Sequence, residues 1–483
     1  MQIAPTARAD PFCTHTHTLS HSLTHTRRHA IILAGGPDSR MNPFGGKPGR
    51  ALLPVCNLPL ISYTVGILER AKFDDVIVVA QKAAAPQILT QIKEVLGFKI
   101  QLHMHTIENN SDKGTADILR ELKDVIKKDF MVLPCDLVTN VPIYQLADIH
   151  RKNNASATLL FASFPAKSPD DHVADRKRLQ QHEDLKGLTD YVALDAESNR
   201  VLLFRSQADL SDSGTVDLRR RLLREHPQVV VRRDLLDAHL YIFDRWVLDF
   251  LVANEQISRI KGDLLPRLVR KQFSDKRTDD PSDVYNFLPP SPLAGLDLPG
   301  AESPSTRPPR ITCFAHVVAA HGLDKAQPND DAPLVARANT RTTYAELNHA
   351  LQMTNKYFKM VCPLDGTMPE TIHPEAELSG KDTKLGPECR VGAGSKLGKV
   401  TVKRSMIGRH CKIADCCKLT NCIVMDYVEI AENVTLTNCV VGNNARIGAF
   451  SSLTNCNVGP KYQVEEKVKS KDESFEDDAM AFF

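Results

Sequence analysis

Residues 419–460 read LTNCIVMDYVEIAENVTLTNCVVGNNARIGAFSSLTNCNVGP, and LTNC occurs in them three times, with Cys422, Cys439 and Cys456 spaced 17 residues apart. A second rhythm runs between the thiols. Val402, Ile407, Ile413, Leu419, Val424 and Ile430 follow one another in steps of five, six and six, and the same steps continue to Val458. Aliphatic residues at such steps, pointing inward from short strands, are the signature of a parallel β-helix with three strands and three corners per coil. Each LTNC then falls at the same corner of successive coils. Equivalent positions stack about 4.8 Å apart, which is a sheet spacing and not a tetrahedral metal site. The thiols therefore read as small packing rungs, and Asn421, Asn438 and Asn455 are expected to form a ladder beside them. Glycines that follow the aliphatic positions, such as Gly408, Gly442 and Gly448, are expected to supply the corner conformations. The β-helix is assigned to residues 371–460.

A chain of 483 residues exceeds what one core accommodates and predicts two or three domains. Its formal charge of +2 gives no reason to expect direct contact with nucleic acid or a membrane surface. No apolar run reaches the roughly 20 residues that span a bilayer. Residues 1–28 are polar, His/Thr-rich and nearly free of acid, and read as a disordered extension outside the fold. The 12 cysteines show no C-x-x-C pair and no zinc spacing, so reduced thiols and a cytosolic location are expected.

Outward toward the N-terminus, HAIILA, DVIVVA, IQLHM and FMVLP read as strands, and ISYTVGILERAKF, APQILTQIKEVLGF and TADILRELKDVIKK as helices. Alternation of this kind gives an α/β domain, a Rossmann-like sheet covered on both faces, over residues 29–275. Ligands of such sheets bind beyond the carboxyl ends of the strands. Three features stand there: Gly35-Gly36, Gly114-Thr115 and Asp136. A glycine turn can offer N–H groups to phosphate, and an aspartate can hold a bridging cation. A turn with no ligand explains the glycines equally well.

The phrases LAGGPDSR, RALLPVCNLPLI, GTADILR, LPCDLVTN and DAHLYIF, followed by a hexapeptide β-helix, resemble the nucleotidyltransferase-like family of sugar-phosphate pyrophosphorylases. Within it they are most similar to a non-enzymatic branch, the gamma subunits of eukaryotic translation initiation factor 2B. The resemblance covers roughly residues 29–275 and 370–460. It implies a nucleotidyltransferase domain with a mixed sheet, followed by a β-helix of left-handed form.

Active members of that family are expected to carry G-G-x-G-[ST]-R, P-K-P-L and two metal-binding aspartates. Here the loop is Gly35-Gly36-Pro37-Asp38-Ser39-Arg40, in which Asp38 repels phosphate and Pro37 lacks a donor. Gly49-Arg50-Ala51-Leu52 replaces P-K-P-L, with Lys47 nearby as a substitute. Asp136 matches the first metal aspartate. The second, carried in relatives by W-x-D-x-G, is missing, because the only tryptophan, Trp246, opens a helical segment running through Asp249. The resemblance thus implies a vestigial nucleotide pocket of Gly35, Gly36, Arg40, Arg50, Gly114, Thr115 and Asp136, with no catalytic residue, metal site or cofactor.

The expected role is that of a regulatory or scaffold subunit, pairing with the epsilon subunit and other subunits of factor 2B to promote guanine-nucleotide exchange on initiation factor 2. The alternative is a live sugar-1-phosphate nucleotidyltransferase like GDP-mannose pyrophosphorylase, with Arg40, Arg50 and Asp136 catalytic. A third reading is a β-helix scaffold that binds no nucleotide.

Three segments complete the chain. Residues 276–310 read as a Pro-rich flexible insert, 311–370 as a connector with one strand and one helix capped by Thr342 or Thr343, and 461–483 as an acidic, solvated tail. The charged stretch 169–187 reads as a surface loop or a partner contact.

Overall fold

The main sheet has seven strands, most of them short apolar runs as buried strands are, while the edge strand QLHMHTI alternates. They are β1 (His29–Ala34), β2 (Asp75–Gln81), β3 (Gln101–Ile107), β4 (Phe130–Pro134), β6 (Ala157–Ser163), β7 (Leu235–Phe243) and β8 (Cys313–Ala319), while β5 (Leu137–Thr139) lies outside the sheet. The computed structural model describes residues 29–36, 39–46, 49–108, 112–163, 190–206, 218, 220–274, 280–289, 311–319, 333–353, 355–364, 370–378, 383–386 and 388–476. The sheet order is β8-β6-β7-β4-β1-β2-β3. It is mixed because β7 runs antiparallel to both β4 and β6, whereas β1 pairs in parallel with β2 and β4. Two hydrophobic clusters cover its faces, one around Phe130, Phe161 and Phe243, the other around Ile32, Val78 and Leu133. No helix among the described residues is long and apolar enough to cross a membrane.

The segment expected to be a connector packed on one of the domains is part of the sheet domain itself. Strand β8 pairs with β6 along its whole length, and β9 (Val335–Arg337) pairs with β5. Helix α1 (Arg341–Met353) follows, and its cap is Thr340 rather than Thr342 or Thr343. Thr340 Oγ1 accepts from the Thr343 N–H at 3.2 Å, and Thr343 Oγ1 accepts from the Thr340 N–H at 3.1 Å. The threonine three residues on completes the reciprocal pair and does not itself cap. Residues 280–289, expected to be flexible, also pack: Val284 is buried and Phe287 sits edge-on to Phe250 at 6.0 Å. The apolar run Val284-Tyr285-Asn286-Phe287-Leu288 suffices to anchor that piece of the insert. The extension 1–28, the stretch 169–187, residues Pro37, Asp38 and Lys47, and most of the insert lie outside the described residues.

From residue 372 the chain winds as a left-handed parallel β-helix with three six-stranded parallel sheets. The first face runs from Glu377–Leu378 to Gln463–Val464, the second from Lys384–Leu385 to Lys469–Lys471, and the third from Arg390–Val391 to Ser474–Phe475. The stack therefore extends to Phe475, one coil beyond the expected end, and the supposed tail forms that coil. Its rhythm is intact: Val464, Ser470 and Phe475 continue the six, six, five steps, but serine and surrounding charges hide the pattern.

Cys422, Cys439 and Cys456 are fully buried, and each thiol donates to a carbonyl two residues back, at 3.2 Å. The asparagine ladder forms and gains a member. Asn421 donates to Asn438 at 2.8 Å, Asn438 to Asn455 at 3.0 Å, and Asn455 to Asp472 at 2.8 Å. The glycines act differently from expectation. Positive φ falls on Asn421, Asn438 and Asn455, at 56°, 54° and 54°, and not on Gly408, Gly442 or Gly448. Those glycines permit close stacking, since a Cβ on Gly408 would lie 2.6 Å from the Met425 carbonyl carbon.

The middle rungs of the third face are apolar outward as well as inward, while its outer rungs present Arg390, Asn457 and Ser474. Met406, Ile423 and Val440 pack under α1 and the turn around Cys56, together with Phe44, Tyr344 and Phe358. Asn57 donates to the Ile407 carbonyl at 3.1 Å, and the Arg390 guanidinium lies 4.1 Å from the centre of the Phe358 ring. The two domains thus share a core.

Candidate functional site

Asp136 stands just past the carboxyl end of β4, where the alternation of strand and helix leaves a crevice. It is fully buried. Its carboxylate takes a two-pronged contact from Arg337, with Nε to Oδ1 and Nη2 to Oδ2 both at 3.0 Å. Arg50 Nη1 lies 3.0 Å from Oδ2. Arg337 is brought there by β9, because pairing with β5 places it just beyond Asp136, whose carbonyl also accepts from the Ala338 N–H at 3.0 Å. Burial opposes ionisation of Asp136, but Arg337 and then Arg50 overcome it and hold the carboxyl below its usual range.

A half-buried group borders this cluster. His239 adopts φ 53° in β7, where the pairing with β6 is irregular. Burial, then the charges of Arg337, Lys261, Arg50 and Arg40, push its imidazole well below the ordinary value, so it is neutral near pH 7. Its neighbour Asp237 is fully buried. It accepts from the His239 N–H at 2.9 Å and the Tyr241 hydroxyl at 2.6 Å, with Lys261 Nζ 3.8 Å away. Lys261 sits closer to Asp190, at 2.8 Å.

The seven residues expected from sequence divide into two places. Gly36, Arg50 and Asp136 converge: a Cβ on Gly36 would lie 3.9 Å from Arg50 Nη2. Arg40 is exposed, and its charge reaches His239. Gly35 packs against Ile107, since a Cβ there would lie 2.5 Å from Ile107 Cδ1. Gly114 and Thr115 are engaged elsewhere in the chain. A Cβ on Gly114 would meet the Ser258 carbonyl oxygen at 2.1 Å, and Thr115 Oγ1 accepts from the Ile260 N–H at 2.9 Å. Asp117 accepts from Ser258 Oγ at 2.6 Å, and Arg120 donates to the carbonyls of Leu251 and Asn254 at 2.7 and 2.8 Å. The turn before Thr115 is thereby locked against residues 251–260.

Arg337, His239, Asp237 and Lys261 escaped the sequence reading. The usable signal for Arg337 was its place in PLVARA, where a cation in an apolar strand demands a counter-ion. Trp246 is buried and opens the helix Trp246–Ala253.

Residues 29–172 match the Nucleotidyl transferase family, and residues 382–474 match the GMPPB C-terminal domain. The chain is similar to the translation initiation factor eIF2B subunit gamma of Dictyostelium discoideum, 27% identical over 81% of this chain and 89% of that protein. It is likewise similar to the gamma subunit of Schizosaccharomyces pombe, 31% identical over 52% of each. A 30% identical stretch covering 27% of this chain relates it to 36% of a mannose-1-phosphate guanyltransferase of Yarrowia lipolytica. The chain thus carries a nucleotidyltransferase domain and resembles eIF2B gamma subunits over most of its length.

Proposed function

We propose that this chain is a non-catalytic subunit of a guanine-nucleotide exchange assembly of the eIF2B type, a platform that pairs with an epsilon-type subunit and serves exchange on initiation factor 2. The supporting observation is the filling of the crevice around Asp136. A magnesium ion needs free carboxylate oxygens and water. Both oxygens of Asp136 instead take guanidinium N–H groups, and the group standing across from it is the cation Arg337. The residues present do not fit the ion, so no transfer step is derived through one. Val335-Ala336-Arg337-Ala338-Asn339 comes near the end of the domain, where the resemblance expects W-x-D-x-G, and has arginine in the place of the acid.

What remains is a rigid two-domain body with a shared core, suited to presenting surfaces to other subunits in the cytosol. No direct contact with nucleic acid is required of it. Affinity capture of the full chain from its own cells tests the reading. Recovery of an epsilon-type subunit and of initiation factor 2 is the expected result, and capture without either overturns it.

A further inference from the structure

A three-stranded sheet stands beside the main one, in the order Val201–Ser206, Asp190–Asp195, Val229–Arg232. Its two outer strands differ. Val201–Ser206 lies against the helix Leu265–Lys271, and beside it the Ala315 N–H of β8 donates to the Asn199 carbonyl at 2.9 Å. Among the described residues, Val229–Arg232 pairs with Asp190–Asp195 alone.

The register shows which backbone groups of that strand stay open. Val229 stands opposite Asp195, Val230 opposite Leu194 and Val231 opposite Ala193. The Ala196 N–H donates to the Gln228 carbonyl at 3.0 Å, while the Asp195 N–H turns the other way, to the Arg200 carbonyl at 3.0 Å. In an antiparallel pair the residues that exchange hydrogen bonds alternate along the strand. Val230 and Arg232 therefore direct their backbone groups to the neighbour, as Gln228 does, and Val229 and Val231 direct theirs to the open side. These N–H and C=O groups have no partner among the described residues.

The open edge is apolar. Val230 and Val231 are 46% and 50% exposed, and so is Leu223, at 46%, on the helix Arg220–Glu225, whose Leu222 packs with Ala193. An edge of this kind is a template for another strand, and proteins that leave one unused blunt it with charge, proline or a bulge. The three valines carry none of these. Cations stand around them instead. Arg232 is held by Asp234 at 3.0 Å, and Arg233 lies over Tyr191, 4.8 Å from the ring centre. Arg220 and Arg224 are exposed and have no carboxylate partner among the described residues.

We propose that the strand Val229–Arg232 accepts a further strand from another protein, an extended segment that is apolar at its centre and acidic at its ends. Main-chain hydrogen bonds to Val229 and Val231 attach the segment, the valines cover its apolar side chains, and the arginines select its acids. This docking goes beyond the exchange assembly proposed above and does not depend on it. A second copy of the same edge is disfavoured, because pairing would gather the arginines of both copies in one place. A nucleic acid has no strand to offer the open backbone groups, and the valines give its phosphates nothing.

The test follows amide hydrogen exchange of the full chain with a synthetic peptide of alternating valine and threonine that ends in glutamates, and with the same peptide ending in lysines. The glutamate peptide is expected to slow exchange at Val229 and Val231 about tenfold, and the lysine peptide to leave it unchanged. Val231→Pro removes an outward N–H and spares the pairing with Asp190–Asp195, so Tm should hold while the protection disappears. Arg220→Glu/Arg224→Glu, at exposed positions, is expected to weaken the glutamate peptide about tenfold. Absence of slowing in the wild type, equal slowing by both peptides, or protection that survives Val231→Pro overturns the inference. Slowing that grows with protein concentration and needs no peptide assigns the edge to a second copy and overturns it. Arginine-dependent binding of polyuridylate in place of the peptide assigns the patch to nucleic acid and overturns it too.

Discussion

Asp136 concentrates the chemistry of the molecule in one carboxylate and two guanidiniums. Removing one partner of a buried ion pair leaves charge without compensation. Arg337→Ala is therefore expected to cost about 3 kcal/mol in urea unfolding, with Arg50 left to limit the loss. The pH dependence has a definite sign. The folded carboxyl titrates below the ordinary 3.8, so its ionised form contributes stability above that value, and the contribution is lost as pH falls through the lower, folded value. Asp136→Asn should destabilise most at pH 7 and progressively less in acid. Asp244 behaves oppositely. Burial, with the charge of Asp129, pushes it up to about 6, so ionisation near pH 7.5 costs the fold stability. Asp244→Asn is expected to raise Tm at pH 7.5, with the gain shrinking as pH falls through about 6. Asp136 was legible because it ends an apolar strand. Its partner Arg337 was not, since 201 residues separate the two and only the pairing of β9 with β5 joins them.

The β-helix was the most legible element, because an inward aliphatic residue at fixed steps is a local pattern that needs no long-range contact. Its last coil was missed where Ser470 interrupts the aliphatic series, and the role of its glycines was misread because periodicity does not reveal φ. The ladder position Asn438 combines a positive φ with two side-chain hydrogen bonds. Asn438→Ala should destabilise by about 2 kcal/mol, and Asn438→Gly by about 1 kcal/mol less, because glycine takes that φ without strain. Thermal unfolding of the two variants side by side checks the difference. Gly408→Ala is expected to be worse than either, as its Cβ would press on backbone of the next coil at 2.6 Å.

At the scale of the whole molecule, a sheet domain of transferase type and a β-helix are welded through Met406, Ile423, Tyr344 and Phe358. Which surfaces meet at that junction was not legible in the sequence, where 311–370 reads as a connector, because which element a short helix covers depends on the assembled surfaces. The weld and the filled crevice support the proposed reading of a partner-carrying body that does not turn over substrate. Release of pyrophosphate from GTP or ATP by the purified full chain, with magnesium and mannose 1-phosphate, tests this most directly. No release above the protein-free rate is predicted, and turnover that disappears in Asp136→Ala would contradict it.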